Sequence, residues 1–180
     1  WTLGRRLLSP AAGGSLITKI GKAFKEFSEL GLIEKSKTKI YCAQPEGCGP
    51  IARAIIDRSE IIKPEKPNTI AKSLAIGNPA DGYYARDTVL NSGGTAALVS
   101  DDEIRDSIKL LACTEGILTE TAGGVTLAAT RKLIEKGTIP RDESIVISIT
   151  GNGLKTQEAI SAHVGKPIEI DPSLNSFEKK

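Results

Sequence analysis

The chain has 180 residues, a length typical of one globular domain or of part of a larger protein. Its 24 lysine and arginine residues nearly balance its 22 aspartate and glutamate residues, which leaves a formal net charge of +2. This mild charge, together with an aromatic content of 4%, argues against a nucleic-acid-binding surface. No apolar run approaches the roughly 20 residues that a transmembrane helix needs, so we expect no membrane association and a cytoplasmic location.

The cysteine and histidine residues argue against several kinds of catalytic site. Cys42, Cys48 and Cys113 lack the spacing of metal ligands, so the sequence predicts no metal site and three buried thiols in a reducing compartment. The only histidine, His163, lies near the C-terminus beside Gly165, and we interpret it as a surface residue. Catalysis by a Ser/His or Cys/His pair is therefore not expected.

Strand-like and helix-like segments alternate along the chain. The clearest amphipathic pattern follows residue 15, where one helix face carries Leu16, Ile20, Phe24, Phe27 and Leu30. Up to residue 100, the patterns predict in chain order a strand at 5–9, a helix at 16–30, a strand at 38–44, a helix at 48–57, a loop at 58–68, a helix at 80–94 and a strand at 95–100.

The second part of the chain continues this alternation. Ser100 and Glu103 have the spacing of a capping box, which marks the start of a helix. The run 144–150 is apolar at its centre, which is typical of a strand buried on both faces. Beyond residue 100, the patterns predict in chain order a helix at 101–114, a helix at 121–136, a strand at 144–150, and a turn followed by a helix at 151–160.

The alternation of strands and helices predicts an α/β fold, with an open and mainly parallel sheet flanked by helices. In such sheets ligands bind at the carboxyl ends of the strands. The turns that follow Ser9 and Thr150 should therefore lie at the same edge and are the first candidates for a binding site.

The stretch "SPAAGGSLITK", Ser9 to Lys19, joins the first strand to the first helix through small residues. The backbone N–H groups at the start of a helix lack partners within the helix, and small side chains would let a phosphate approach them. Ala11, Ala12, Gly13 and Gly14 leave this approach open, and we expect the Ser15 hydroxyl to cap the helix. The pattern matches neither a P-loop nor G-x-G-x-x-G, and an ordinary turn that binds nothing is the alternative.

Three more loops rich in small residues occur at 76–82, 114–124 and 150–156. The last of them, "TGNGLKT", opens like a dinucleotide-binding fingerprint but has Thr156 in place of the third glycine. Glu120 lies just before a predicted helix, where it either lines a pocket or is a solvated residue that complements the helix dipole. Four such loops in one α/β chain indicate a shared ligand pocket.

Five segments together resemble the threonine synthase family, which consists of pyridoxal-phosphate (PLP) enzymes of the tryptophan-synthase-like fold, or fold type II. They are "AAGGSLITKIGKAFKE", "QPEGCGPIARA", "TIAKSLAIGNPADG", "LLACTEGILTETAGGVTLA" and "ITGNGLKT". By this resemblance, residues 1–180 are the C-terminal portion of the PLP-binding catalytic domain. The N-terminal part, which holds the Schiff-base lysine upstream of the phosphate turn, is expected to be absent, so no catalytic residue is assigned within this chain.

The resemblance also implies where the cofactor lies. The phosphate falls on backbone N–H groups of the small-residue turn, and Thr150 takes the place of the hydroxyl residue that faces the pyridine nitrogen. Ala75 and Ile76 should lie close to the ring, and Glu120 should line the pocket near its pyridine edge. The expected cofactor-binding set is Ala11, Ala12, Gly13, Gly14, Ser15, Ala75, Ile76, Glu120 and Thr150.

The activity implied by the resemblance is the PLP-dependent conversion of O-phosphohomoserine and water to threonine and phosphate. This is a carbon–oxygen lyase reaction of amino-acid biosynthesis, and we expect the chain to be inactive without the N-terminal portion. Cysteate synthase and threonine or serine dehydratase, which share the fold, are alternatives. A non-catalytic α/β module that binds a nucleotide phosphate is an alternative of another class. The N-terminal portion and a second copy, in a homodimer, are the expected partners.

Overall fold

Helices cover both faces of a parallel four-stranded sheet in the computed structural model, which describes residues 4–165 and 168–178. None of the helices in those residues has the length and apolar composition of a membrane-spanning segment. The elements are β1 (Arg6–Pro10), α1 (Ser15–Glu29), β2 (Lys39–Pro45), α2 (Pro50–Ile56), α3 (Gly82–Asn91), β3 (Ala96–Val99), α4 (Asp101–Glu115), α5 (Thr121–Glu135), β4 (Ile145–Ile147) and α6 (Leu174–Glu178).

The strand order is β3-β2-β1-β4, and every neighbouring pair runs parallel. Leu8 of β1 lies opposite Tyr41 of β2 on one side and Ile147 of β4 on the other. Parallel neighbours require crossover connections, and helices supply them here. The predicted α/β fold with a parallel sheet is therefore confirmed, and the carboxyl ends of β1 and β4 meet at one edge.

Alternation along the strands divides the core into two clusters, one on each face of the sheet. Leu7, Ile40 and Cys42 pack toward the cluster that includes residues of α1, α2 and α3. Leu8 and Tyr41 pack toward the cluster formed with α4 and α5. Successive side chains of a strand point to opposite faces, so short runs of apolar residues such as "LL" and "IYCA" serve both cores at once.

β4 differs from the strand that the sequence predicts. It covers only Ile145–Ile147, and Val146 in its centre is 46% exposed, so the prediction of a strand buried on both faces was wrong. Its only strand neighbour within the described residues is β1. An apolar run indicates a strand but does not reveal whether helices cover both of its faces at the edge of a sheet.

The segment after β4 also departs from expectation. Three short 3-10 turns, Gly153–Lys155, Gln157–Ala159 and Ser161–His163, replace the helix predicted within 151–160. The Asn152 side chain accepts a hydrogen bond of 2.9 Å from the N–H of Leu154. Local side-chain bonds of this kind give the backbone an alternative to a helix. His163 is exposed, as predicted.

Cys42 and Cys48 are buried, as predicted. Cys113 is exposed on α4, so the prediction that it is buried was wrong. Burial raises the pKa of Cys42 to about 12, so this thiol stays protonated at neutral pH. Because the thiolate is the reactive form of cysteine, Cys42 acts as a small apolar core residue.

The predicted capping box at the start of α4 is confirmed. The N–H of Glu103 donates to Ser100 Oγ at 3.2 Å, and the N–H of Ser100 donates to Glu103 Oε2 at 2.7 Å. Lys132 Nζ of α5 donates to the same carboxylate oxygen at 3.0 Å. Partial burial works to raise the pKa of Glu103, but the Ser100 N–H and the Lys132 ammonium outweigh it and hold the pKa below its usual range.

A group whose pKa is lower in the folded state stabilises the fold above its unfolded pKa, and this stabilisation is lost as the pH falls through the folded value. We therefore expect the urea midpoint of unfolding to decrease between about pH 5 and about pH 3 less steeply in Glu103→Gln than in the original protein. Glu115→Gln, at the other end of α4, is the matched control and should keep the original slope. Equal slopes in the original protein and Glu103→Gln would contradict this assignment.

Candidate cofactor site

The small-residue turn leaves the sheet directly after β1. The N–H of Ala11 still donates to Ala43 O of β2 at 3.0 Å, and α1 begins four residues later. Gly14, with φ +97°, is the N-cap of α1, whereas Ser15 is its first helical residue and makes no side-chain cap bond. The expectation that the Ser15 hydroxyl caps the helix was therefore wrong. A left-handed backbone at this position favours glycine, which has no Cβ to clash.

Two carbonyl groups of the turn are held by the rest of the protein. Gln44 Nε2 donates to Ala11 O at 3.1 Å, and the N–H of Asp81 donates to Gly13 O at 2.8 Å. A Cβ atom on Gly14 would lie 2.6 Å from Asp81 O, so the turn and the segment before α3 are in direct contact. Contacts with β2 and with the segment before α3 therefore hold the turn at Ala11 O and Gly13 O.

The donors of the same turn are free. The N–H groups of Ala12, Gly13, Gly14 and Ser15 donate to no acceptor within the described part of the chain. They lie at the N-terminus of a 15-residue helix, where the dipole adds partial positive charge. A Cβ atom on Gly13 would have one heavy atom within 4 Å, Ile76 Cδ1 at 3.9 Å, so open space borders the turn. This arrangement can bind a phosphate or another small anion.

Ile76 therefore lies beside the turn, and its side chain is 42% exposed. Ala75 precedes it and is partly buried, directly after the 3-10 turn Lys72–Leu74. The structure thus brings this segment and the turn together at the carboxyl edge of the sheet.

Thr150 lies in the loop after β4. The N–H of Ser148 donates to Leu8 O at 3.0 Å, so the pairing with β1 continues one residue beyond β4 before the chain leaves the sheet. Thr150 follows two residues later and is exposed. Because β1 and β4 are parallel neighbours, this loop and the small-residue turn leave the sheet at the same edge.

Glu120 is the N-cap of α5 and is only 7% exposed, which excludes the solvated alternative. Its N–H donates to Gly151 O at 3.0 Å, and Thr119 Oγ1 donates to the same oxygen at 3.1 Å. The Glu120 carboxylate lies against Gly151, at the place that a Cβ atom there would occupy. Residues 119 and 120 therefore hold the loop that carries Thr150.

The two halves of the candidate site meet through the core. Ala12 of the turn packs against the cluster that contains Ala122 and Val125 of α5. The turn, the 75–76 segment, the N-terminus of α5 and the loop after β4 consequently surround one edge of the sheet.

Sequence reasoning missed three buried residues of this region. Gln44 is completely buried at the end of β2, and Thr119 is 1% exposed beneath the loop after β4. Thr121, the first residue of α5, is also completely buried, and its hydroxyl has no hydrogen-bond partner within the described residues. Of these three residues, only Gln44 has a recognisable sequence pattern, a polar residue near the end of an apolar strand.

A groove of about 850 Å³ also lies between α1, α3 and the segment 35–38, away from the turn. Phe24, Ile40 and Thr88 contribute to its walls, and no residue of the turn does. We place the candidate site at the turn rather than in this groove because four N–H groups of the turn have no acceptor within the described residues.

Two curated relatives of the same name match nearly the whole chain. A protein of Methanocaldococcus jannaschii named threonine synthase is 39% identical over 180 residues, which is 99% of this chain and 44% of the relative. A protein of the same name from Methanosarcina acetivorans is 37% identical over 175 residues, or 97% of this chain and 43% of the relative. The chain therefore spans less than half the length of these curated relatives.

Solved structures show the same architecture. Threonine deaminase isoform 2 from Solanum lycopersicum matches with a TM-score of 0.65 and 21% identity, covering 88% of this chain and 44% of that chain. Maize serine racemase matches with a TM-score of 0.64 and 23% identity, covering 89% of this chain and 49% of that chain. At these identities the matches show a shared fold of type II and carry no argument about substrate.

The most direct comparison is with protein families. The model of the family described as "Pyridoxal-phosphate dependent enzyme" matches residues 5–151, which include β1, the small-residue turn, Glu120 and Thr150. The chain belongs to this family of PLP-dependent enzymes, in agreement with the resemblance found in its sequence.

Proposed function

We propose that the small-residue turn holds the phosphate of PLP. The observation that carries this proposal is the set of four N–H donors, from Ala12 to Ser15, that lack acceptors within the described residues. A phosphate dianion supplies several acceptor oxygens and the negative charge that a helix N-terminus favours. Gly13 leaves room for it, and the carbonyl groups of Ala11 and Gly13 point into the protein, where Gln44 and Asp81 hold them.

The remaining residues would hold the ring. We assign the Thr150 hydroxyl to the pyridine nitrogen and the Ala75–Ile76 segment to a face of the ring. Glu120, fixed against Gly151, would form the wall at the pyridine edge. When bound, PLP supplies an electron sink for negative charge that develops on substrate carbons. A neutral hydroxyl at the ring nitrogen holds a proton there less strongly than a carboxylate would, so the sink would be moderate.

For the complete protein we propose the conversion of O-phosphohomoserine and water to threonine and phosphate. The support is the pair of relatives named threonine synthase, at 39% and 37% identity over nearly the whole chain. This chain would position the cofactor and bind its phosphate. The lysine that carries the cofactor and moves protons would come from a portion of the complete protein outside this chain, which spans 44% of the first relative.

The reaction can be tested on the complete protein with PLP. O-phosphohomoserine should yield threonine and inorganic phosphate in equal amounts, measured by amino-acid analysis and a phosphate assay. Threonine and serine should also be tested as substrates, because a dehydratase would release ammonia from them. We expect ammonia release to be far slower than phosphate release from O-phosphohomoserine. Absence of phosphate release would contradict the proposed substrate. Ammonia release from threonine, as fast as the expected phosphate release, would indicate a dehydratase instead.

The phosphate site can be tested by filling it. Gly13→Val adds a side chain where open space borders the turn, and Gly13 has no left-handed backbone to strain. We expect this variant to bind PLP at least about tenfold more weakly, with an unchanged unfolding midpoint, because the methyl groups would occupy the phosphate's place. Fluorescence titration of the protein without cofactor measures the affinity.

Gly116→Ala is the control for this experiment. Its φ of +68° makes alanine unfavourable, but nothing lies within 4 Å of its Cβ position at the far end of α4. It should lower the unfolding midpoint and leave the affinity for PLP unchanged. Unchanged affinity in Gly13→Val would contradict the proposed site, and tight binding of ATP with no binding of PLP would favour a nucleotide-binding module instead.

A further inference from the structure

Gln44 connects the small-residue turn to α2 through a completely buried side chain. Its Nε2 donates to Ala11 O at 3.1 Å, and its Oε1 accepts from the N–H of Ala52 at 2.8 Å. Ala52 is the third residue of α2, whose N-cap, Gly49, offers no side-chain cap. The two contacts fix the orientation of the amide, because exchanging its oxygen and nitrogen would place donor against donor and acceptor against acceptor.

The contact with Ala11 O determines where the next N–H points. Ala11 O and the N–H of Ala12 belong to one planar trans peptide group, in which they point in opposite directions. Holding the carbonyl toward Gln44 in the interior therefore turns the N–H of Ala12 away from the interior. That N–H is the first of the four free donors of the turn.

Among the residues that the structure describes, this carbonyl is the one in the turn that a polar side chain from another element holds. The carbonyl of Gly13 is held by the backbone N–H of Asp81, and the N–H of Ala11 is fixed by Ala43 O. The peptide group between Ala11 and Ala12 depends instead on a side chain of β2. Its orientation can consequently be changed by one substitution outside the turn.

We propose that Gln44 is a positioning residue for the cofactor phosphate, acting through the peptide group that joins Ala11 and Ala12. This inference rests on the proposed binding of PLP by the turn. Gln44 itself is buried behind the turn and does not contact the phosphate in this assignment. A substitution of Gln44 should therefore weaken binding of the phosphate group and leave binding of the ring unchanged. A residue that only stabilises the fold would not produce this difference.

The test compares PLP with pyridoxal, which has the same ring but no phosphate, on the complete protein without bound cofactor. Gln44→Met keeps the length and volume of the side chain and removes both hydrogen bonds. We expect the affinity for PLP to fall about tenfold and the affinity for pyridoxal to change less than about twofold. The phosphorus NMR signal of bound PLP should also shift, because one donor to the phosphate is displaced.

Thr130→Val is the matched control. Thr130 is 3% exposed in α5, and its hydroxyl donates to Thr126 O at 2.8 Å, so the variant also loses a buried hydrogen bond at constant volume. It should leave the affinities for both ligands unchanged. If Gln44→Met lowers the affinities for PLP and pyridoxal by the same factor, or changes neither affinity, the proposed positioning role is wrong.

Gln44→Glu provides a second variant that retains an acceptor for the N–H of Ala52. As a carboxylate it would set oxygen against Ala11 O and weaken PLP binding, whereas the protonated acid could donate to that carbonyl. In Gln44→Glu, the ratio of the affinity for PLP to the affinity for pyridoxal should therefore be below that of the original protein at neutral pH. It should approach the original protein's ratio as the pH is lowered. A ratio that matches the original protein at every pH would overturn the inference. If the original protein binds PLP no more tightly than pyridoxal, the proposed phosphate site itself fails.

Discussion

Four consecutive backbone N–H groups, from Ala12 to Ser15, have no acceptor within the described residues at the start of α1. Folded proteins pair nearly all of their buried N–H groups, and an anion is a suitable acceptor for free donors at a helix N-terminus. Ala11 O and Gly13 O share peptide groups with the N–H of Ala12 and of Gly14, and they are held by Gln44 and Asp81, so these two peptide groups keep a fixed orientation. The proposed binding of an anion therefore needs little rearrangement.

The strand order brings the parts of the candidate site together around β1. β1 lies between β2 and β4, so the turn that follows it borders the end of β2, which supplies Gln44, and the loop after β4, which carries Thr150. α5 covers this region and holds the loop through hydrogen bonds from residues 119 and 120 to Gly151 O. The proposed phosphate site and the hydroxyl proposed for the ring nitrogen thus follow neighbouring parallel strands, the usual location of ligands in α/β sheets.

Much of this could be predicted from the sequence because local rules govern it. The strand and helix alternation, the Ser100 capping box and the small-residue turn each depend on residues close together in the chain. The exposed β4 and the 3-10 turns after it could not be predicted, since they depend on which faces the helices cover and on local bonds such as that of Asn152. Gln44 escaped notice because its partners, Ala11 and Ala52, are 33 and 8 residues away and meet it only in the folded sheet.

Binding of phosphate by the turn can be observed in nuclear magnetic resonance spectra of the ¹⁵N-labelled complete protein, recorded before and after addition of PLP. We expect the backbone N–H signals of residues 12–15 to undergo the largest shifts toward hydrogen-bonded values, and inorganic phosphate alone to reproduce the direction of these shifts. Unmoved signals at residues 12–15, with the main changes in the groove between α1 and α3, would contradict binding of phosphate by the turn.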